Sequence, residues 1–329
     1  MNVLLIGSSG FIGSHLVPKL VDSGHTVVGF DLVVPESSRG LSNFIQGDVR
    51  IANDFQKSFE EIDCVINLAA VHRDSGHTID EYWDTNDRGM QQLLAAMESY
   101  QVKRLVFTSS VAVYGEHDFE VCEETEPVPT SPYGASKLSA EKRVLDWVAR
   151  DEARAATILR PCVVFGERNV ANMYNLIRQI QSGWFFIAGA GENVKSLAYV
   201  GNLVAAIAFC LERSAHGVQT YNYVDKPDLT VKETVSNVSR TLGKPRQPRH
   251  LPLSILALVA RPFEMMSRLR GQVPTISSAR VRKLAARTQF AATKIREAGF
   301  VPTVSLLEGI ERMVHDMYPD LKETPTQLG

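Results

Sequence analysis

The sequence has few of the features that mark secreted or metal-binding proteins. Its 329 residues include only four cysteines, and no pair of them has a CxxC or metal-ligand spacing. We interpret Cys64, Cys122, Cys162 and Cys210 as small core residues of a protein in a reducing compartment. The sequence therefore predicts no metal site and a cytoplasmic protein.

An excess of basic charge and a long hydrophobic run are also absent. Lys and Arg number 35 against 37 Asp and Glu, so the chain lacks the basic surface that nucleic-acid binding requires. The most apolar later stretch, 251–260, contains Pro252 and is too short to cross a bilayer. We interpret it as a buried or partner-facing helix, with membrane-surface contact as the alternative. Since a strand is predicted from Val3 onward, we expect no signal peptide.

The first 31 residues have the pattern of a dinucleotide site. The apolar run 3–6 predicts a strand covered on both faces, and glycines then recur at Gly7, Gly10 and Gly13 before an amphipathic helix. Glycines at this spacing let the backbone turn tightly and approach a pyrophosphate at the helix N-terminus. Pro18 interrupts the helical pattern, and we expect a kink there.

An acidic residue ends the second predicted strand, 26–30. Asp31 lies 18 residues after Gly13, close to the spacing at which a carboxylate meets the adenosine ribose hydroxyls. A carboxylate there repels the 2′-phosphate of NADP, so the sequence favours NAD. Asp48, after a short strand that begins at Phe44, has two interpretations that the sequence leaves open: it accepts from the adenine amino group, or it caps a helix over 51–60.

Further strands are predicted at 64–68, 104–108 and 158–164, alternating with helices at 80–100 and 133–150. This alternation predicts an α/β protein with a Rossmann-type, doubly wound parallel sheet. Beyond Gly166 the alternation weakens, which suggests a smaller mixed α/β C-terminal region. We therefore predict an NAD-binding domain over 1–165 and a substrate-binding region over 166–329, with about 195–225 packing back on the first domain.

Polar groups follow the predicted strands at the edge where open α/β sheets bind ligands. Ala69, Ala70 and His72 follow one strand, and Ser109 and Ser110 follow the next. Because an ammonium one helical turn away favours a tyrosinate, Tyr133 and Lys137, four residues apart on a helix, suit proton transfer. Tyr318 and Lys322 have the same spacing, but Pro319 lies between them and no serine-bearing strand precedes them, so we interpret that pair as a coincidence.

Together these residues resemble the extended short-chain dehydrogenases/reductases, in particular the nucleotide-sugar epimerase/dehydratase family. The resemblance extends from Met1 to the Gly299-Phe300-Val301-Pro302 segment. It implies NAD as cofactor, and it implies Ser110, Tyr133 and Lys137 as the catalytic hydroxyl, base and lysine. The implied cofactor contacts, beyond that tyrosine and lysine, are Gly7, Gly10, Phe11, Ile12, Gly13, Asp31, Asp48, Val49, Leu68, Ala69, Ala70, Ser109 and Pro161.

The segment after Ser110 favours simple redox chemistry at one carbon. Sugar dehydratases of this family resemble Thr-Asp-Glu-Val-Tyr here, but this chain has Val111 and Ala112, which neither donate nor accept a proton. The resemblance therefore implies a 4-epimerase that acts on a nucleotide sugar, with UDP-sugars favoured, in polysaccharide biosynthesis. The alternatives are a 4-keto-sugar reductase, a hydroxysteroid or flavonoid reductase, and a non-catalytic redox sensor. The resemblance also implies a homodimer.

The substrate-binding residues depart from the family pattern. Val163 stands where 4-epimerases often have an asparagine that contacts the nucleotide diphosphate, and Lys195 stands for a phosphate-binding arginine. An Arg-x-Gly-Asp phosphate motif is not evident, which leaves Arg280 and Arg282 as candidates for a diphosphate clamp. His72 and Ser110 complete the candidate substrate contacts.

Overall fold

The N-terminal half of the chain alternates strands and helices, as the sequence predicts. The computed structural model describes residues 1–37, 40–72, 76–183, 185–213, 216–244, 249–252, 254 and 288–323. The elements up to the end of the sixth strand are β1 (Asn2–Ile6), α1 (Phe11–Asp22), β2 (Thr26–Asp31), β3 (Asn43–Gln46), a 3₁₀ turn (Ala52–Lys57), β4 (Cys64–Asn67), α2 (Ile79–Tyr82), a π-helical segment (Trp83–Arg88), α3 (Gly89–Ser99), β5 (Arg104–Thr108), a 3₁₀ turn (Val111–Tyr114), α4 (Pro132–Ala149) and β6 (Ala155–Pro161).

Among the described residues, the second half contributes strands that are mostly short and five further helices with defined bounds. In order, they are β7 (Val163–Phe165), α5 (Asn172–Ser182), β8 (Phe186–Ala188), β9 (Val194–Lys195), β10 (Leu197–Tyr199), α6 (Val200–Glu212), β11 (Gly217–Tyr223), β12 (Leu229–Thr230), α7 (Val231–Thr241), β13 (Arg249–Leu251), α8 (Thr293–Glu297), α9 (Leu306–Met317) and a 3₁₀ turn (Pro319–Glu323). No helix in the described part of the chain is long and apolar enough to cross a membrane.

Seven parallel strands form the central sheet in the order β11-β6-β5-β4-β1-β2-β3. From β1 the chain winds outward through β2 and β3, and it then returns to β4 on the other side of β1. The winding direction therefore reverses between β1 and β4. In an open parallel sheet such a reversal leaves a crevice at the carboxyl ends of the two strands, and this crevice is where ligands bind.

Both faces of the sheet are covered, because successive strand residues pack into opposite cores. On β1, Val3 and Leu5 pack with α1 and α6, whereas Leu4 and Ile6 pack with α3 and α4. All four side chains are completely buried. This two-sided burial explains why the strand is continuously apolar rather than alternating.

The structure differs from the sequence prediction around the sixth strand. The predicted single strand over 158–164 is two strands: β6 ends at Pro161 in the central sheet, and β7 pairs with β10 outside it. Cys162 lies between them and donates its backbone N–H to Tyr223 O. The seventh strand, β11, was not predicted, although it and α6 place part of the predicted 195–225 segment on the central sheet.

Two smaller predictions are also corrected. The helix predicted over 51–60 is a short 3₁₀ turn, and Cys122 is half-buried, unlike the other three cysteines. Pro18 lies within α1, which continues past it to Asp22. The proposed domain boundary at 165 stays a prediction.

Candidate active site

The glycine turn between β1 and α1 packs so closely that side chains do not fit at two of its positions. Gly7 has a φ of +82°, and a Cβ there would lie 2.9 Å from the Ala69 backbone N. A Cβ on Gly13 would lie 2.2 Å from Gly7 O and 2.7 Å from Ser8 O. Gly10 is exposed, and a Cβ there would have only Gly7 O nearby, at 3.3 Å. Gly7 and Gly13 therefore shape the turn, whereas Gly10 faces open space where a ligand can approach.

Asp31 is fixed beside this turn. Its carboxylate accepts the Ser9 backbone N–H at 2.9 Å and the Val33 backbone N–H at 3.1 Å. These contacts connect the carboxyl end of β2 to the glycine turn, which is where a carboxylate meets the ribose of a dinucleotide. The structure places Phe11, Ile12 and Gly13 in the first turn of α1.

Asp48 does not cap the following turn, so one of its two sequence interpretations is wrong. The N-cap of the 3₁₀ turn is Ile51, which has no side-chain cap. Instead, the Asp48 carboxylate accepts from both the backbone and the guanidinium of Arg50, and this pairing lowers the pKa of Asp48. Val49 is buried against Gly89 of α3. The adenine contact of Asp48 stays a prediction.

The loop after β4 lies against the glycine turn and is tied to α4. Leu68 and Ala69 are the backbone neighbours of Gly7. Further along the loop, Val71 donates its N–H to Asn86 Oδ1 at 2.9 Å and accepts from Asn86 Nδ2 at 3.0 Å. Asn86 Nδ2 also donates to Ser136 Oγ at 2.9 Å. One buried amide thus joins the crevice to the helix that carries the predicted base, a role that the sequence prediction missed.

The two serines after β5 have different surroundings. Ser110 Oγ accepts the Ala112 backbone N–H at 3.1 Å and begins the 3₁₀ turn 111–114. Ser109 is buried, and within the described residues its Oγ has no hydrogen-bond partner. A buried hydroxyl without a partner at the carboxyl end of a strand is a position where a ligand can supply the missing hydrogen bond.

Helix α4 brings Tyr133 and Lys137 to the same edge of the sheet. Ser131 caps the helix by accepting the Gly134 backbone N–H, and Pro132 occupies its first position, which fixes the start of the helix where the sequence predicts it. Tyr133 is half-buried with its ring 6.3 Å from the ring of Tyr82. Because the two residues are four apart on one helix, Tyr133 and Lys137 share a face.

Lys137 is unusual because it is completely buried. Its Nζ donates to Thr108 O at 2.6 Å and lies 4.2 Å from the centre of the Phe107 ring. Burial lowers the pKa of Lys137 to about 7, and the charge of Glu141 opposes that shift. A lysine with such a pKa near the ligand crevice is typical of a catalytic site.

The predicted substrate residues are less closely grouped. His72 is exposed on the loop after β4, and Lys195 lies on β9, where it pairs with Leu229 of β12. Arg280 and Arg282 lie outside the described residues. Ala70 follows β4 and Pro161 ends β6, both at the carboxyl edge of the sheet. The roles of these residues in binding stay predictions.

A dinucleotide fits the residues at this edge. The glycine turn leaves Gly10 open at the N-terminus of α1, Asp31 is fixed beside it, and the Ser109 hydroxyl is buried without a protein partner among the described residues. These three features supply a phosphate site, a ribose acceptor and a polar contact along one crevice.

Comparisons with known proteins agree with this geometry. A family model described as the NAD dependent epimerase/dehydratase family matches residues 3–224. The chain is 40% identical over 317 residues to an N-acetyl-α-D-glucosaminyl-diphospho-ditrans,octacis-undecaprenol 4-epimerase of Escherichia coli O157:H7, covering 94% of this chain and 93% of the relative.

Solved structures extend the comparison to bound ligands. UDP-glucose 4-epimerase of Thermotoga maritima, solved with UDP-glucose, has a TM-score of 0.77 and 25% identity and covers 98% of this chain and 100% of its own. MoeE5, solved with UDP-glucuronic acid and NAD, has a TM-score of 0.77 and 26% identity, with coverage of 97% and 100%. With its Rossmann sheet, glycine turn and Tyr133–Lys137 helix, the chain belongs to the NAD-dependent epimerase/dehydratase family.

Proposed function

We propose that this protein is an NAD-dependent 4-epimerase of a nucleotide sugar. The observation that carries the proposal is the position of Tyr133, half-buried at the carboxyl edge of the sheet and one helical turn from the buried Lys137. A phenol beside an ammonium at the mouth of a dinucleotide crevice suits the removal and return of a hydroxyl proton.

NAD is the cofactor of the family, and we propose that it binds in the crevice at the carboxyl ends of β1 and β4. We assign the pyrophosphate to the glycine turn and the N-terminus of α1, the ribose to Asp31, and the neighbouring polar contacts to Ser109 and Lys137. Bound NAD supplies a hydride acceptor and donor for the sugar carbon. The protein holds the cofactor and orients the sugar against it.

The proton chemistry belongs to the chain's own residues. Tyr133 accepts the proton of the C4 hydroxyl and later returns it, and the Lys137 ammonium, one helical turn away, stabilises the phenolate that exists between the two steps. The Ser110 hydroxyl holds the substrate oxygen in line with the phenol. The same geometry serves removal and return of the proton, because the sugar presents either face to the site.

The residues beside Ser110 support epimerisation rather than dehydration. Elimination of water requires an acid and a base next to the reacting carbons, and Val111 and Ala112 occupy those positions in the 3₁₀ turn after β5. The remaining chemistry is oxidation and reduction at one carbon.

The test is to incubate the purified protein with UDP-hexoses and their N-acetyl and uronic-acid forms, without added cofactor, and to follow the products by NMR. Interconversion of C4 epimers by protein that retains NAD supports the proposal. A requirement for stoichiometric NADH would instead identify a 4-keto-sugar reductase.

A second candidate substrate is a sugar on a polyprenyl diphosphate. It is favoured by the relative of 40% identity, whose name gives such a substrate. Val163, which is 47% exposed at the start of β7, presents an apolar side chain where nucleotide-sugar 4-epimerases often have an asparagine. Epimerisation of N-acetylglucosaminyl-diphospho-undecaprenol in detergent, with no reaction of UDP-N-acetylglucosamine, would select this candidate.

We also propose that the protein is a cytoplasmic homodimer that supplies epimerised sugars for polysaccharide biosynthesis. Helices α3 and α4 lie side by side on one face of the sheet, and Leu145 on α4 is exposed, as expected of a face that pairs with a second copy. Light scattering after size-exclusion chromatography tests the dimer, and a monomer at micromolar concentration would contradict it.

A further inference from the structure

A buried ion pair lies one helical turn beyond Lys137 on α4. Arg160 of β6 donates from Nε to Glu141 Oε1 at 2.9 Å and from Nη2 to Oε2 at 2.6 Å. Glu141 is 2% exposed and Arg160 is 7% exposed. Arg160 also donates from Nη1 to the Tyr114 hydroxyl at 2.7 Å, so the guanidinium is held on two sides. The proposed reaction does not use this pair directly.

Stability alone is a weak explanation for the pair. Removing two charges from water has a large desolvation cost, and well-packed apolar residues often replace buried ion pairs without loss of stability. The position of the pair suggests another reason. Glu141 follows Lys137 by four residues on the same helix, so the carboxylate and the ammonium share a face.

The direct contacts of the Lys137 ammonium in the described structure are uncharged. Thr108 O and the Phe107 ring are its contacts on β5. Five titratable groups of the described residues face this part of α4. They are Tyr133 of α4 itself, Tyr82 of α2, Asp87 of the π-helical segment, Tyr114 of the 3₁₀ turn and Arg160 of β6. Asp87 is bound by the Arg143 guanidinium through two bonds of 2.7 Å. Glu98 of α3 binds Arg154, beyond the C-terminal end of α4.

We propose that Glu141 is a positioning residue that keeps Lys137 protonated, and that Arg160 fixes its carboxylate for this role. The inference rests on the proposed function, in which a charged Lys137 assists proton removal by Tyr133. Burial and the Glu141 charge act in opposite directions on the lysine, and their balance leaves the pKa of Lys137 at about 7. The carboxylate therefore favours the protonated lysine, against the larger effect of burial.

Removing the Glu141 charge has a defined consequence. In E141Q we expect the pKa of Lys137 to fall by about one unit or more, as when a buried group loses an opposite charge. A neutral lysine no longer assists ionisation of Tyr133. The charged form of Lys137 is then lost at a lower pH, so kcat at a fixed pH above the Lys137 midpoint falls about tenfold for each unit of the shift.

The direct measurement is an NMR titration of lysine ¹³Cε signals in the NAD-bound enzyme, with K137M used to assign the Lys137 signal. The inference requires the Lys137 midpoint to fall in E141Q and kcat at pH values above that midpoint to fall with it. E141D, which keeps the charge, should restore both. The matched control is D87N, which neutralises another buried carboxylate that binds an α4 arginine and should leave the Lys137 midpoint in place.

If E141Q does not fold, E141Q/R160M leaves neither charge unpaired, and the Lys137 midpoint should then fall by less than in E141Q, because the repulsion from Arg160 is lost as well. An unchanged Lys137 midpoint in E141Q, or in the double variant where only that one folds, overturns the inference, and so does a lowered midpoint with unchanged kcat above it. The two proposals can fail separately. If the protein epimerises no sugar tested but its Lys137 midpoint still falls in E141Q, the proposed function is refuted, whereas the effect of Glu141 on the charge of Lys137 stands.

Discussion

The cofactor side and the substrate side of the crevice are built in different ways. On the cofactor side, the glycine turn, α1 and Asp31 come from one continuous segment of 31 residues, and backbone geometry fixes their contacts. On the substrate side, β7, β9 and β12 come from separate parts of the chain and pair in small two-stranded sheets. The cofactor side keeps the family pattern, whereas the substrate side departs from it at Val163 and Lys195.

This difference separates the residues that carry out the reaction from those that select the substrate. The chemistry needs a base, an ammonium and a dinucleotide, and all of them depend on the continuous first segment, β5 and α4. We propose that recognition of the group beyond the sugar depends on side chains from the later segments. On this proposal, a change of substrate within the family requires changes on the substrate side.

The largest effect is expected when the base is removed. In Y133F the hydroxyl that accepts the C4 proton is absent, and kcat should fall about 10³-fold, within the range for loss of a general base. NAD should still copurify, because the glycine turn and Asp31 are unchanged. Both quantities are measured on the purified protein, by epimerisation rate and by absorbance of released NAD.

The matched control for Y133F is Y82F, which removes the hydroxyl from the neighbouring ring, 6.3 Å away. We expect Y82F to stay within a few-fold of the parent rate. Turnover of Y133F at the parent rate would show that the phenol is not the base.

The second prediction concerns stability and pH. The pKa of Lys137 is lowered to about 7 in the folded protein, whereas an unfolded lysine titrates near 10.4. Between these values the unfolded state binds more protons, so the contribution of Lys137 to stability rises with pH across that window. In protein stripped of NAD, K137M should therefore be more stable than the parent at pH 7.5 by on the order of 3 kcal/mol.

The difference between K137M and the parent should shrink as the pH approaches 10, because the folded lysine is already neutral and the unfolded lysine is then losing its proton as well. Urea unfolding at the two pH values measures it. An equal difference at both pH values would mean that the buried lysine keeps its ordinary pKa.

The third prediction separates two roles of glycine in the turn. In G13A the new Cβ clashes with Gly7 O, so both the stability of the NAD-free protein and NAD binding should fall. In G10A the Cβ enters the open space above the turn, so NAD affinity should fall about tenfold or more while the NAD-free protein keeps its melting temperature. Calorimetric NAD titration and thermal unfolding measure the two quantities.

G183A serves as the control for a loss of stability away from the site: Gly183 has a φ of +77°, which strains an alanine, but it has no neighbour within 4 Å and lies outside the turn. It should lower stability without affecting NAD affinity. Equal losses of stability in G10A and G13A would mean that Gly10 is structural too.

The sequence predicted the cofactor side well because its signals are local. A glycine turn, a capped helix start at Ser131 and apolar strands each act within a few residues, and the structure keeps them at nearly the predicted bounds. β11 was missed because its place beside β6 depends on a long-range pairing. The alternating segment Val218 to Tyr223 carried a signal for a strand but not for its position.

The sequence also did not predict the buried hydrogen bonds. Asn86 lies within the helix predicted over 80–100, but its hydrogen bonds to Val71 and Ser136 join three segments that only the fold brings together. Glu141 carried a usable signal, since it lies four residues after Lys137, but its partner Arg160 lies on a strand. Ion pairs between distant elements follow from the topology rather than from local sequence.

The smallest predicted effect tests the substrate side directly. V163N restores an amide at the position where a nucleotide diphosphate was expected to be bound, and the parent side chain is already 47% exposed, so the fold should tolerate the change. One added hydrogen bond is worth about 1 kcal/mol, so the Kd for free UDP should fall a few-fold. V301N, at a valine that is 75% exposed in a segment beside Phe300, should leave UDP binding unchanged.

An unchanged Kd in V163N would place the nucleotide away from β7. If free UDP binds neither V163N nor the parent, the polyprenyl diphosphate substrate is favoured, because that substrate has a diphosphate but no nucleotide. The contrast between the two sides of the crevice would then be clearer. The cofactor side would be common to the whole family, whereas Val163 would mark a substrate side that had lost its nucleotide contacts and kept the epimerase chemistry.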